Sequence, residues 1–205
     1  MSATGKDTIL HDVQSMLYHN PPCGTIQIQH LIPFTTREKR IGEVNGVDYI
    51  FIEEAELELA RDQIMEMRSY NTKTPDGDDI VRYYGHFIPE AEYSIAVGPI
   101  DFYAKIKDTP GVTVVPYYLQ IPEEERLLRL VKREAKQPNP NWNEIVRRFY
   151  ADSREFDPKI IYDLDISFAL INKDRVTTVM NIASNITSVI EKNEIAKEKM
   201  KHEHL

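Results

Sequence analysis

The chain has 205 residues, a net charge of −8, 28% charged residues and 41% hydrophobic residues. That length and balance fit one compact domain with a real core, carrying mobile subdomains at most. An acidic chain of this kind is not a general nucleic-acid binder, although a basic pocket can still sit inside it. One cysteine, Cys23, excludes a disulfide framework or a cysteine zinc cluster within the chain and fits a reducing compartment. No apolar run approaches the 18 residues that a membrane span needs, and no signal-peptide core opens the chain.

Ile9, Val13 and Leu17 recur every four positions, so residues 6–19 are expected to form a helix, ended by Asn20-Pro21-Pro22-Cys23-Gly24. A strand is expected over 25–32, with Ile26, Ile28 and His30 on one face, and another over 47–52. A short helix follows over 54–64. The pattern then gives a strand over 65–70, a polar turn over 72–79 and an aromatic strand over 81–87. Further on come a buried strand over 93–97, a short helix over 99–106 and a buried strand over 112–119. Pro122 followed by three glutamates starts a helix that runs to 136. Pro138 and Pro140 interrupt it, and Asn141 caps a second helix to about Phe156. A last strand is expected over 166–171 and a last helix over 175–201, its end charge-rich and solvated. Strands mixed with helices in this way argue an α/β fold with a mainly parallel sheet.

Two segments carry chemistry. Residues 35–49 read T-T-R-E-K-R-I-G-E-V-N-G-V-D-Y. Arg37 and Arg40 sit three apart, so one turn of backbone can aim both planar guanidinium groups at a single phosphate. The bland reading of this segment is a charged surface hairpin. Residues 2–8, Ser2-Ala3-Thr4-Gly5-Lys6-Asp7-Thr8, place a lysine at the start of the first helix behind a glycine. Backbone N–H groups at such a helix start cradle phosphates, and the lysine reaches the terminal ones.

The first segment matches all nine specified positions of T-T-R-x-x-R-x-G-E-x-x-G-x-D-Y, and the chain thereby resembles the guanylate kinases. The resemblance implies a P-loop NTPase three-layer α/β fold with a mainly parallel core sheet. It implies an inserted nucleotide-monophosphate-binding subdomain over 33–88 and a helical lid over 133–148, on a core of 1–32, 89–132 and 149–205. The implied reaction moves the γ-phosphoryl group of ATP to GMP or dGMP, with Mg²⁺. Arg37, Arg40, Tyr49 and Tyr84 would hold the acceptor phosphate, and Glu43 would brace an arginine or the nucleotide. Glu66 would accept from guanine N1–H and N2–H₂, or is an exposed strand carboxylate. His86 would donate to guanine O6, or is a partly buried strand histidine. Ser2, Ala3, Thr4, Gly5, Lys6, Asp7 and Thr8 would bind ATP, with Asp7 or Thr8 offering an oxygen to the metal. Arg129, Arg133 and Arg148 would stand as lid arginines beside Lys6 in catalysis, with Arg147 a neighbouring candidate.

The chain departs from the family pattern in places. The first P-loop glycine and its strand would precede Met1, so a natural start several residues upstream is expected. Pro33 and His86 occupy positions where hydroxyls assist base reading, and the strand Ser94 to Pro99 carries no acid, the next being Asp101. Three alternatives therefore stay open: a kinase for another monophosphate, an inactive guanylate-kinase-like binding module, and a GMP sensor without transfer. The expected partners are small-molecule nucleotides, with no nucleic acid and no membrane. A cytoplasmic monomer or homodimer is expected.

Overall fold

A computed structural model describes residues 1–205 apart from 2, 40–41, 74–77, 138–139, 167–168, 172–173 and 204–205. The chain divides into two compact units. One comprises 1–27, 97–104 and 111–205, and the other 28–96 and 105–110.

In the first unit, α1 (Lys6–His19) starts after Gly5, whose φ of 90° lies in the left-handed region. It buries Ile9, Leu10, Val13 and Leu17, the stripe that its four-residue spacing dictates. That stripe packs against α7 (Arg175–Glu203), which buries Thr178, Val179, Ile182, Ala183 and Ile190. Asp174 caps α7 by accepting from the Val176 and Thr177 N–H groups at 3.3 and 2.9 Å. Arg175 then ties α7 to α1 through Asp12, with Nη2–Oδ1 at 2.7 Å. The strands of this unit, β7 (Tyr118–Gln120) and β8 (Ala169–Ile171), pair in parallel. Tyr118 stacks on Phe156 with ring centres 5.6 Å apart. The unit also holds α4 (Glu123–Glu134), α5 (Trp142–Glu155) and α6 (Pro158–Asp163), and all but the last two residues of α3 (Ile100–Ile106).

In the second unit, β1 (Gln29–Leu31) and β6 (Ser94–Ala96) pair in parallel. A four-stranded sheet holds β2 (Phe34–Thr35), β3 (Ile50–Phe51), β4 (Ile64–Lys73) and β5 (Asp79–Phe87) in the order β3-β2-β5-β4. Within it β2 and β3 run parallel, whereas β5 is antiparallel to both β2 and β4. Among the described residues, parallel pairing thus holds in β1–β6, β2–β3 and β7–β8, and the antiparallel pairs are the two that β5 makes, with β2 and with β4. The short helix α2 (Glu54–Leu59) opens on a capping box between Glu53 and Glu56.

Several boundaries differ from the periodicity. The strand expected from 25 begins only at Gln29, because residues 22–24 form a 3-10 turn with Gly24 at φ 76°. The apolar run over 112–119 pairs only from Tyr118; Pro116, without an N–H, sits just before it. The expected helix over 54–64 stops at Leu59, and a 3-10 turn over 61–63 leads directly into β4. Helix α6 lies where no element was expected. Its signal is Asp157-Pro158, an N-cap whose carboxylate accepts from Lys159 N–H at 2.8 Å, followed by proline at the first helical position. No helix among the described residues is long and apolar enough to cross a membrane.

Candidate functional site

The signature segment folds back on itself through its own side chains. Thr35 and Thr36 are buried. The Thr36 hydroxyl accepts from Tyr83 N–H at 2.9 Å, and Thr36 N–H donates to the Tyr83 carbonyl at 3.1 Å. Arg82 Nη1 donates to the Thr36 carbonyl at 2.9 Å, and the Thr35 hydroxyl accepts from Arg37 N–H at 3.2 Å. The threonine pair therefore clamps the arginine-bearing loop to β5. Downstream, Asp48 accepts from Val44 N–H at 2.7 Å and Asn45 from Phe51 N–H at 2.9 Å. Gly46 closes the turn at φ 77° and donates to the Tyr49 carbonyl at 2.8 Å. The sequence reading gave these four polar residues no role of their own.

The loop thereby delivers Arg37 onto Glu43. Nη1 donates to Oε2 at 2.7 Å and Nη2 to Oε1 at 2.5 Å, a two-pronged pair with side chains 11% and 18% exposed. Arg37 also lies over the Tyr49 ring, 4.8 Å from its centre, and 5.4 Å from that of Phe51. Burial works against the guanidinium charge, but the Glu43 carboxylate outweighs it and holds Arg37 above the ordinary arginine range. Tyr49 meets Tyr84 edge-on at 6.3 Å, and Tyr84 meets Tyr70 edge-on at 5.4 Å. Arg37, Glu43, Tyr49 and Tyr84 are thus neighbours within one unit. Arg40 lies outside the described residues.

Strand alternation sets the rest of this face. Glu66 pairs with His86 and Arg68 with Tyr84 across the β4–β5 ladder, so all four share one side of the sheet. Glu66 is not an exposed strand carboxylate: its side chain and that of His86 are each 1% exposed. Glu66 Oε1 receives His86 Nδ1 at 2.9 Å and Arg68 Nη2 at 3.2 Å. Arg68 Nε stands 3.1 Å from Oε2 as a charge contact without hydrogen-bond alignment. Arg68 was not singled out from the sequence. Its signal was its place two residues beyond Glu66 on the same strand face. Between Tyr84 and His86, Gly85 packs against the Phe34 ring, leaving no room for a side chain.

In the other unit, Ala3 and Gly5 both have positive φ, 63° and 90°, and curl the backbone into the start of α1. Buried Thr4 donates to the Met1 carbonyl at 3.3 Å. Lys6 occupies the first turn and reaches Asp7 at 2.9 Å. Asp7 is 79% exposed and Thr8 is exposed beside it. Ser2 lies outside the described residues. A single exposed carboxylate next to a hydroxyl suits a cation that keeps most of its ligands from water and a substrate's phosphates.

Of the expected lid arginines, Arg129 pairs with Glu125 at 2.6 Å along α4, and Arg133 is exposed one turn further on. Arg148 is half-buried on α5. Arg126, absent from the sequence-based set, is the fully buried one. It bonds Asp152 at 3.0 Å, joining α4 to α5, and stacks 4.0 Å over Phe149. Its signal was the four-residue spacing to buried Leu130, which puts both on the inner face of α4. Asp101, the first acid after Pro99, lies near Glu155. Burial first, and that neighbouring charge second, push the Glu155 carboxyl above its usual range.

Comparison with known proteins adds four findings. Residues 2–74 match the family model described as guanylate kinase. The chain is 32% identical over 115 residues to a guanylate kinase of Mycoplasma pneumoniae, covering 52% of this chain and 45% of the relative. It is 29% identical over 141 residues to a guanylate kinase of Mycoplasma genitalium, covering 64% of this chain and 52% of the relative. The chain thus spans about half the length of the curated relatives it matches. A crystal structure of guanylate kinase from Anaplasma phagocytophilum superposes with a TM-score of 0.54 at 18% identity, covering 88% of this chain and 81% of that one. That likeness gives the fold, a mixed α/β arrangement shared with that structure.

Proposed function

We propose that this chain, whose residues 2–74 match the guanylate kinase model, is a member of that family and transfers the γ-phosphoryl group of ATP to GMP or dGMP, yielding ADP and GDP or dGDP. The observation that carries this reading is the assembly of Arg37, Glu43, Tyr49 and Tyr84 on one patch. A guanidinium fixed in orientation by a carboxylate and flanked by phenols is suited to a terminal phosphate. Arg40 joins this set by its spacing from Arg37. Glu66 and His86 belong to the base end of the same acceptor site. The segment 33–88 serves as the monophosphate-binding subdomain and 133–148 as the lid.

At the donor end, the backbone of residues 2–8 and the α1 N-terminus receive the ATP phosphates, and Lys6 leaves Asp7 for the transferring group. When bound with ATP, Mg²⁺ supplies Lewis-acid neutralisation of the phosphates, with Asp7 or Thr8 as the chain's oxygen toward it. The acceptor oxygen is already anionic near neutral pH, so no side chain has to remove a proton. What the chain supplies is position and positive charge: Arg37 and Arg40 aim the acceptor, and Lys6, Arg129, Arg133 and Arg148 balance the charge that spreads over the migrating group.

A coupled ADP-release assay with GMP, dGMP, AMP, CMP and UMP tests the proposal. Release dependent on GMP or dGMP is expected. Release that ignores the acceptor, or that follows AMP or a pyrimidine monophosphate instead, overturns it.

A further inference from the structure

We propose that the outer face of the α4–α5 helix pair is a self-association surface, on which a second copy of this chain docks about a two-fold axis. The inference goes beyond the reaction proposed above and does not rest on it.

The pairing of the two helices comes first. Arg126, at the head of α4, bonds Asp152 near the tail of α5 at 3.0 Å. Asn141 N–H, just before α5, donates to Glu134 at the tail of α4 at 2.7 Å. The helices therefore run antiparallel, and Arg126, Leu130, Ile145 and Asp152, all buried, mark the seam between them together with Phe149 under Arg126.

Rotation then sorts the remaining side chains. Leu127 and Val131 stand one position past Arg126 and Leu130, and Val146 and Tyr150 one past Ile145 and Phe149. One position is about 100° around a helix. In an antiparallel pair, the same turn away from a shared seam reaches the same side. Trp142, four before Val146, starts that row. Arg129, Arg133 and Arg148 each stand three positions past a seam residue, which is about 60° in the opposite sense. The pair thus carries these arginines on one side and an apolar row on the other.

That row faces water. Trp142 is 49%, Val146 67% and Tyr150 64% exposed, and Leu127 and Val131 are exposed beside them. Single exposed apolar residues are ordinary, but a contiguous row is not. At about 150–250 Å² for a large side chain, these five offer on the order of 500 Å² of apolar surface. A homodimer interface of standard size, with ~800 Å² per partner and about 65% of it apolar, needs a similar amount.

Symmetry points to a second copy as the occupant. A two-fold contact must be self-complementary. With the axis crossing both helices level with Val146, α5 lies antiparallel on its counterpart. Trp142 then meets Tyr150 of the second copy, twice over, with Val146 against Val146 between them. Charge agrees with this register. α4 has glutamates at 123, 124 and 125 in its first turn and Lys132 and Arg133 in its last, so each acidic end comes beside the basic end of the other copy. Arg154, which lies over the Tyr150 ring at 6.0 Å, comes to the end of the second copy that carries Glu134.

Sedimentation velocity on the full chain, from about 1 to about 200 µM, tests this. A reversible dimer of about twice the 23.8 kDa chain mass is expected, with a Kd in the micromolar range. Val146→Glu sets two carboxylates against each other on the axis and should raise the Kd at least about tenfold, while circular dichroism stays unchanged. Arg154→Glu should weaken association, and adding Glu134→Arg should restore most of it. With Cys23→Ser, Val146→Cys should give a disulfide-linked dimer under mild oxidation, because the axis brings the two residues together. The same samples are also spun with phosphatidylcholine–phosphatidylserine vesicles. A chain still monomeric at the highest concentration overturns the proposal. So does a dimer that ignores Val146→Glu, which would place the contact elsewhere. A monomer that pellets with vesicles through this row would give the face to a membrane surface and overturn it too. None of these readouts involves a nucleotide, so the outcome is separate from that of the kinase reading.

Discussion

Consider Gly85→Ala, a single methyl added between Tyr84 and His86. A Cβ built on Gly85 would stand 2.2 Å from the Glu66 carbonyl oxygen and 2.5 Å from the tip of the Phe34 ring. The first neighbour is backbone in the β4–β5 ladder and cannot swing aside. The second is fully buried and packed on Phe87 at 4.8 Å between ring centres. Either the ladder opens at this point or Phe34 leaves its rotamer. Overpacking of a tight core costs about 1–3 kcal/mol, and a clash with backbone belongs at the upper end, so about 2–3 kcal/mol is expected. For a chain of this size, each kcal/mol lowers Tm by about 2–4 °C, so the variant should melt about 5–10 °C lower. The disturbed ladder carries Tyr84, Glu66 and His86, and GMP affinity should fall about tenfold as their spacing changes. Thermal unfolding followed by circular dichroism, with and without GMP, reads both effects. A variant that melts within 1 °C of the parent and binds GMP equally well would refute the packing argument.

Arg37→Met should weaken GMP about 10- to 100-fold, since charge-assisted bonds to phosphate are worth about 1.5–3 kcal/mol; calorimetry showing no change would remove Arg37 from the site. Glu43→Gln should weaken GMP as well, because it frees the arginine fork from a fixed orientation; tighter binding would mean that Glu43 competes with the phosphate. Lys6→Met should lower kcat about a hundredfold in the ADP-release assay while GMP affinity holds, and an unchanged kcat would end the donor-site assignment. His30 is held below the usual histidine range, by burial first and by the charge of His86 second. Below the ordinary value of about 6.5 the unfolded state then binds more protons than the folded one, so stability falls as pH drops through that value. Denaturant titrations at pH 5 and 7 should show this slope, and His30→Gln should flatten it.

The helical elements were largely legible because their signals are local. The Ile9–Val13–Leu17 spacing fixed α1 at residues 6–19, and Pro122 with its glutamates opened α4, since a helix satisfies its backbone within itself. The strands were less so. The run over 112–119 is apolar throughout, yet only its last residues find a partner, because pairing depends on which distant segment lies alongside. The two-residue strand β2 carries no periodicity at all; it exists because Thr35 and Thr36 bond to a strand some 47 positions away.

The amino-acid order alone carried the resemblance to the guanylate kinases, through two arginines, two glycines, two acids and a tyrosine at fixed spacing, since each makes its demand over a few bonds of chain. It also carried the placement of Lys6 at the head of α1. Only the tertiary structure decided that Glu66 is buried against His86, that Arg68 pairs with the same carboxylate, and that Arg126, not Arg129, bonds α4 to α5 through Asp152. Burial and pairing arise when segments far apart in sequence meet, and it is there that desolvation, which no local pattern records, chooses which charges are left facing a ligand.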